Sequence, residues 1–414
     1  MNYIDVFAGA GGLSEGFTRA GFKALAHIEN DSAACFTLKT RLAYRFFVSR
    51  NDIEPYINYL KGKITRSKLY SLVPEKILQS VISLTIGDEN NPRIFQAIDE
   101  LRGDESVDIL VGGPPCQAYS LVGRARDANG MEGDPRGYLY VQYGKFLARY
   151  RPKIFVFENV TGLLSAKSGW FFTNIRDHFG ALGYELKLFI VNAKDFGVLQ
   201  DRKRIILIGW HKEIKFQIDE ICKSNFGEYQ VSHAFMDLPK IKAGEGVDKF
   251  SRYINGESEY LKFAKIRNGI DVLTQHVARP QTEQDKEIYR IAVEKWRNNR
   301  ARLNYNELPE RLKTHKNIKS FSDRFKVVAD VLPYSHTVVA HIAKDGHYYI
   351  HPDIEQNRSI TVREAARLQS FPDDYYFEGT KEGQARTPAY RQIGNAVPPL
   401  LAEKIANNIA AWLK

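Results

Sequence analysis

Cysteine is scarce in this chain. Three occur among 414 residues: Cys35, Cys116 and Cys222. They are far apart, odd in number and lack metal-ligand spacing, so neither a disulfide framework nor a metal site is expected. That usage fits a reducing, cytoplasmic setting. Long apolar runs are missing too. None approaches the roughly 20 residues that span a bilayer, so no membrane association is expected. The first five residues hold no charged leader ahead of an apolar core, and no secretory signal is read there. Internal repeats and low-complexity tracts are also absent, which argues against a repeat architecture.

What is present is an ordinary globular balance, with 43% apolar and 26% charged residues. The length implies two domains, or one large domain with an insertion. Lys and Arg exceed Asp and Glu, giving a net charge of +10, which suits a polyanionic partner. Between residues 290 and 326, eleven Lys or Arg face four Asp or Glu, so that segment carries most of the excess. It is either a solvated helix surface or a phosphate-contacting face. Ile288, Ile291, Ala292 and Trp296 fall on one side of a helix there.

The first half alternates strands and helices. Apolar strands are predicted over residues 3–7, 24–29, 107–111, 154–157 and 204–209, with helices over 13–20 and 32–43. Asp31 is placed to cap the second helix. Short continuous apolar strands between helices predict an α/β fold with a parallel sheet covered on both faces. From about residue 211 the apolar runs shorten. Thr361-Val-Arg-Glu364 has capping-box spacing, opening a helix that Pro372 ends. Leu400, Leu401, Ile405, Ile409 and Trp412 form the stripe of a last helix.

Four constellations carry chemistry. In Asp5-Val-Phe-Ala-Gly9-Ala-Gly11-Gly12-Leu-Ser14 a strand enters a glycine turn and then a helix. Glycines let backbone approach a ligand, and a helix N-terminus offers free N–H groups. Glu29 ends the next strand, where an acid can accept from ribose hydroxyls. Ser14 replaces the third glycine of the dinucleotide fingerprint, which favours a nucleoside over a pyrophosphate, although a purely structural turn stays open. In Gly112-Gly-Pro-Pro-Cys116-Gln117, two prolines give the cysteine a rigid base after a buried strand. Cys116 is either an inert thiol or a nucleophile, and Glu158-Asn159 at another strand end gives it an acid. A salt bridge or helix cap is the other reading of Glu158. Gln200, Arg202 and Arg204 alternate in an extended segment and share a face, suited to phosphate, a base carbonyl or a charged strand edge. Tyr390-Arg-Gln-Ile-Gly394-Asn395-Ala-Val-Pro398-Pro399 is good helix-entry chemistry, with no function visible in itself.

In this order, these segments resemble the DNA cytosine-5 methyltransferase family of bacterial restriction-modification systems. The resemblance also takes in Arg363-Glu-Ala-Ala-Arg-Leu-Gln-Ser-Phe-Pro372, and covers about two thirds of the chain. It implies a Rossmann-like methyltransferase fold that binds S-adenosylmethionine, with a smaller inserted target-recognition domain. Residues 1–210, completed by 388–414, would form the catalytic domain. The target-recognition domain and hinge would be 211–387, with the reading region at about 211–357. The cofactor would be held by Phe7, Ala8, Gly9, Gly11, Gly12, Leu13, Glu29, Asn30, Asp88, Pro114, Asn395, Ala396 and Val397. Glu89 departs from the family's usual Ile after Asp88.

The catalytic residues implied are Cys116, Glu158, Arg202 and Arg204. Those on DNA would be Gln117, Ser120, Arg124, Gln200, Arg297 and Arg300. A thiolate added at carbon 6 of cytosine makes carbon 5 nucleophilic, an acid at ring nitrogen 3 offsets the charge, and the base must leave the duplex. The glycine-bearing segment 118–137 would close over it. The partner expected is double-stranded DNA, bound by a monomer, with a cognate restriction endonuclease acting on the same site without direct contact. A tRNA cytosine methyltransferase shares most motifs, but its Cys-Phe-Thr signature occurs here only at Cys35-Phe-Thr37, outside the recognition region. A non-catalytic relative would carry a damaged Pro-Cys or Glu-Asn-Val. A dinucleotide oxidoreductase leaves Pro114-Pro-Cys-Gln117 unexplained.

Overall fold

The computed structural model describes residues 1–115, 138–216, 218, 220–223, 226–315 and 321–413. Cys116, Gln117, Ser120, Arg124 and the segment 118–137 lie outside the described residues.

Seven strands form one sheet: β1 (Asn2–Val6), β2 (Lys23–Glu29), β3 (Val81–Ser83), β4 (Ile109–Gly112), β5 (Ile154–Asn159), β6 (Tyr184–Asn192) and β7 (Lys203–His211). Their order is β3-β2-β1-β4-β5-β7-β6. The first five run parallel. The expectation of an all-parallel sheet is corrected at β7, which is antiparallel to both neighbours. Only residues 193–202 join β6 to β7, and a parallel return needs a crossover of about a dozen residues or more. Because β7 is reversed, its first residues, Lys203 and Arg204, lie at the same sheet edge as the carboxyl ends of β4 and β5.

Helices cover both faces. The helix α1 (Gly12–Arg19) follows β1 and α2 (Ser32–Ser49) follows β2; the Asp31 side chain caps α2 by accepting from Ala34 N at 2.9 Å. The helix α2 runs six residues past its expected end. Its last turns carry Phe47, which is buried with Tyr56, Tyr59, Leu60 and Leu69 of a helical segment that follows. The helix Val362–Leu368 has the expected capping box, with Thr361 and Glu364 bonded reciprocally. It stops before Pro372, at a turn where Ser370 takes φ 59°.

The last helix, Pro399–Trp412, buries Leu400, Leu401, Ile405 and Ile409. It packs on α1 where Gly16 leaves room: a Cβ there would lie 2.4 Å from both the Ala402 Cβ and the Glu403 nitrogen. One hydrophobic cluster joins Phe17 and Ile206 to Tyr260, Val338, Tyr349, Leu368 and Ile405. A smaller one, built on Ile288, Tyr289, Ala292 and Val293 of the helix Glu283–Asn299, lies within the second half.

Candidate active site

The glycine turn between β1 and α1 is strongly bent. Phe7, Gly9 and Gly11 have φ of 59°, 54° and 79°. Two glycines answer different demands. Gly12 has the Val397 carbonyl oxygen only 2.1 Å from where a Cβ would lie, so the chain's last turn can press onto the start of α1. Among the described residues, none beyond its chain neighbours comes within 4 Å of that position at Gly9, leaving an open cradle over the turn. Ala8 and Leu13 are buried on either side.

The Glu29 carboxylate accepts from the backbone N–H groups of Gly9 (2.7 Å), Asn30 (2.8 Å) and Asp31 (2.8 Å). It therefore clamps the turn to the end of β2. Burial raises its pKa against the pull of those donors. Oε1 takes both Asn30 and Asp31, whereas Oε2 takes only Gly9 and keeps a second lone-pair direction for a ligand hydroxyl.

Beside this cradle, β4 runs into Gly112, Gly113 and Pro114. A Cβ on Gly113 would stand 2.7 Å from Glu158 Oε2, so the residue must be glycine for the acid to lie against the backbone there. Glu158, near the end of β5, receives Arg204 Nε at 2.8 Å, and both side chains are mostly buried. Burial raises the Glu158 pKa, opposed by Arg204 and then by Arg202. The neighbouring Asn159 donates to the Pro114 carbonyl at 3.2 Å and accepts from Val160 N. This tether fixes the backbone two residues before Cys116.

The Gln200-x-Arg-x-Arg204 segment divides. Arg204 faces Glu158. Arg202 is fully buried and donates to the carbonyls of Val338 (2.7 Å), Gly394 (3.0 Å) and Ala396 (2.8 Å). It holds the C-terminal turn and reaches Glu158 only through its charge, which corrects its expected place beside the reacting base. Gln200 is also fully buried, donating to the Leu368 carbonyl and accepting from Val338 N. Its expected place on DNA is corrected likewise. Alternation put these side chains on one face, but that face turns towards the C-terminal segments.

Other expected residues scatter. Asp88 is exposed and receives Gln142 at 2.7 Å, together with Lys145. These donors hold its carboxyl below the usual range, Lys145 first. Ala396 and Val397 are buried against α1, whereas Asn395 is exposed. Arg297 and Arg300 lie at the exposed end of the helix Glu283–Asn299, with Arg297 3.7 Å from Asp353. Sequence reasoning missed Gly113 and the tyrosine anchor Tyr375, whose hydroxyl donates to the Ala10 carbonyl of the glycine turn. Gly113 stood in a recognised motif. Tyr375 gave no signal. Among the described residues there is no group of His, Cys, Asp or Glu able to hold a metal, and no helix long and apolar enough to cross a membrane.

Known proteins match this arrangement along the whole chain. The family described as C-5 cytosine-specific DNA methylase matches residues 1–56 and 79–411. The Type II methyltransferase M.Bpa9945I of Bacillus paralicheniformis is 42% identical, over 99% of this chain and 98% of its own length. M.DdeI of Desulfomicrobium norvegicum is 32% identical, over 100% and 89%. In fold, the chain resembles a prophage-encoded protein from E. coli described as a DNA modification methyltransferase (TM-score 0.65, 22% identity, 100% and 99% covered). The Entamoeba histolytica methyltransferase EhMeth is a second such likeness (TM-score 0.57, 14% identity, 100% and 99% covered). With a Rossmann-like sheet, a glycine cradle and a Glu–Arg pair beside Pro114, the chain belongs to the C-5 cytosine-specific DNA methylase family and is a DNA (cytosine-5) methyltransferase.

Proposed function

We propose that this enzyme methylates one cytosine within a specific duplex DNA sequence through a covalent Cys116 adduct, as the modification half of a restriction-modification system. The observation that carries it is the Glu158–Arg204 pair, held against Gly113 and next to the Asn159–Pro114 tether that leads into Cys116.

S-adenosylmethionine fits the cradle at Gly9, where the backbone is open, with the remaining lone pair of Glu29 Oε2 left for a ribose hydroxyl. Phe7, Gly11, Asn30 and the turn 395–397 would border it. When bound, it supplies an electrophilic methyl group. Asp88 enters this set only if it exchanges its present partners.

The chain's own residues do the rest. The target base leaves the stack, because carbon 6 is unreachable inside a duplex. The Cys116 thiolate adds at carbon 6, and the ring electrons move towards nitrogen 3. Glu158, made easier to protonate by burial, donates there, while Arg204 holds the ring carbonyl. Carbon 5, now enamine-like, takes the methyl group. Loss of its proton then expels Cys116. Residues 211–357, with Arg297 and Arg300 among its exposed cations, would read the site, and Gln117, Ser120 and Arg124 would also contact the DNA. The domain division at 210/211 and 387/388, a monomeric state, a cytoplasmic setting and a cognate endonuclease that makes no contact complete the reading.

The test is trapping. Fluorine at carbon 5 cannot leave as a proton, so duplex DNA containing 5-fluorocytosine should bind the enzyme covalently in the presence of cofactor. Cys116→Ser should form no adduct. An adduct in Cys116→Ser would place the nucleophile elsewhere. An adduct with fluorinated tRNA but not with duplex DNA would move the substrate to RNA.

A further inference from the structure

The carboxyl edge of the sheet carries a surface patch that the catalytic reading leaves unused. Strands β4 and β5 are parallel, so the segments leaving them open on one face. The helix Leu139–Tyr150 and the helix Trp170–Ala181 both start there and return towards the opposite edge. Tyr138 precedes the first and Trp170 begins the second. Their rings meet edge to face, with centroids 6.5 Å apart. Both are exposed, at 42% and 44%.

An exposed Trp–Tyr pair leaves apolar area in water for no gain in folding. The backbone beside it is also held in an unfavourable form. Lys167, Ser168 and Gly169 have φ of 46°, 53° and 87° in succession. Two consecutive non-glycine residues in the left-handed region are costly, and such strain persists only where the surroundings enforce it. This turn carries Lys167 to 5.8 Å above the Trp170 ring.

The polar handles of the patch have one character. The Lys167 ammonium, the Trp170 indole N–H and the Tyr138 hydroxyl have no hydrogen-bond or ion-pair partner among the described residues, and all three can donate. Lys and indole N–H groups cannot accept at all. A surface of donors and flat apolar rings, with no carboxylate paired to Lys167 among the described residues, matches a phosphodiester flanked by deoxyribose.

We propose that Tyr138, Lys167 and Trp170 form a backbone-binding platform that grips the DNA sugar-phosphate chain beside the target cytosine, independently of base sequence. Lys167 pairs with a phosphate, the indole N–H donates to a phosphate oxygen, and the rings cover the adjoining sugars. Because phosphate contacts position a protein without reading sequence, the platform sets register on the duplex and leaves choice of site to other residues. This rests on duplex DNA being the substrate.

The experiment measures binding of the full-length enzyme to a labelled mixed-sequence duplex at 50 and 200 mM salt, with methyl transfer to duplex DNA by the wild type as the control. One phosphate contact contributes a slope near −0.9 in log affinity against log salt, so Lys167→Ala should lose about 3.5-fold less affinity between those salts than the wild type. Trp170→Ala should bind several-fold more weakly on cognate and non-cognate duplex alike, and Trp170→Phe should fall between it and the wild type. Cofactor affinity and melting temperature should stay at wild-type values, since these side chains are exposed. An unchanged salt slope in Lys167→Ala, or unchanged affinity in Trp170→Ala, overturns the platform. A wild type that methylates no duplex DNA sinks the substrate reading instead, whatever the variants do.

Discussion

Burial and a guanidinium pull Glu158 in opposite directions. Burial raises its pKa and Arg204 at 2.8 Å lowers it, with burial the larger effect. A carboxyl poised this way can donate at ring nitrogen 3 and recover its proton. Glu158→Gln should slow methyl transfer by roughly 10²- to 10⁴-fold, the usual worth of general acid assistance, while cofactor affinity stays near wild type. The pH profile carries a second signature. In the proposed mechanism Cys116 loses a proton and Glu158 keeps one, so the rate should rise on the acid side and fall as pH passes upward through the raised Glu158 value. The falling limb should vanish in Glu158→Gln; a limb that survives there would assign it to another group. Glu158 and Arg204 were legible in the sequence because each stands at a strand end. Gln200 and Arg202 have the same spacing, but nothing in the alternation reveals that a C-terminal segment covers that face.

Helix packing explains what the glycines beyond the turn are for. At Gly16 the main chain of the last helix comes so close that a methyl group would lie 2.5 Å from the Ala402 carbonyl carbon and 2.4 Å from the Glu403 nitrogen. These are backbone atoms, so no side chain can swing away. Gly16→Ala should therefore destabilise the protein by about 1–3 kcal/mol, the usual cost of overpacking, despite alanine's better helix propensity. Calorimetric melting checks this, and a melting temperature at or above wild type would show that the helices can slide apart freely. Among the strands, β1, β2, β4 and β5 were legible from continuous apolar runs. The direction of β7 was not, because an apolar run reads the same both ways. The edge strand β6 was missed, since its middle residues are only partly buried and leave no clean period. The helices of residues 54–79 were missed as well, each being at most seven residues long.

At the scale of the whole molecule, the chain's two ends share one core, so the titration of a single buried group is felt in global stability. Asp5, the last residue but one of β1, is fully buried. One oxygen accepts from the Ser14 hydroxyl at 2.5 Å, and the other has no hydrogen-bond partner among the described residues. His27, its partner on β2, offers no counter-charge, because burial lowers its pKa to about 3 and keeps it neutral. Burial raises the Asp5 pKa to about 7, from a model-peptide value of 3.8. The folded protein thus holds a proton that the unfolded chain has released across that window. The stability this confers is complete below about pH 4 and is lost as pH rises through about 7. Three pKa units correspond to roughly 4 kcal/mol, lost between pH 4 and pH 8. Asp5→Asn keeps an acceptor for Ser14 and carries no proton to lose, so its stability should not follow this slope. Relative to the wild type, the variant should gain roughly 4 kcal/mol between pH 4 and pH 8, even if its buried amide donors make it the weaker protein at low pH. Urea unfolding of both proteins across this range measures the difference. Parallel pH dependences would show that Asp5 is already ionised in the folded enzyme near pH 4, and that an unseen donor satisfies its second oxygen.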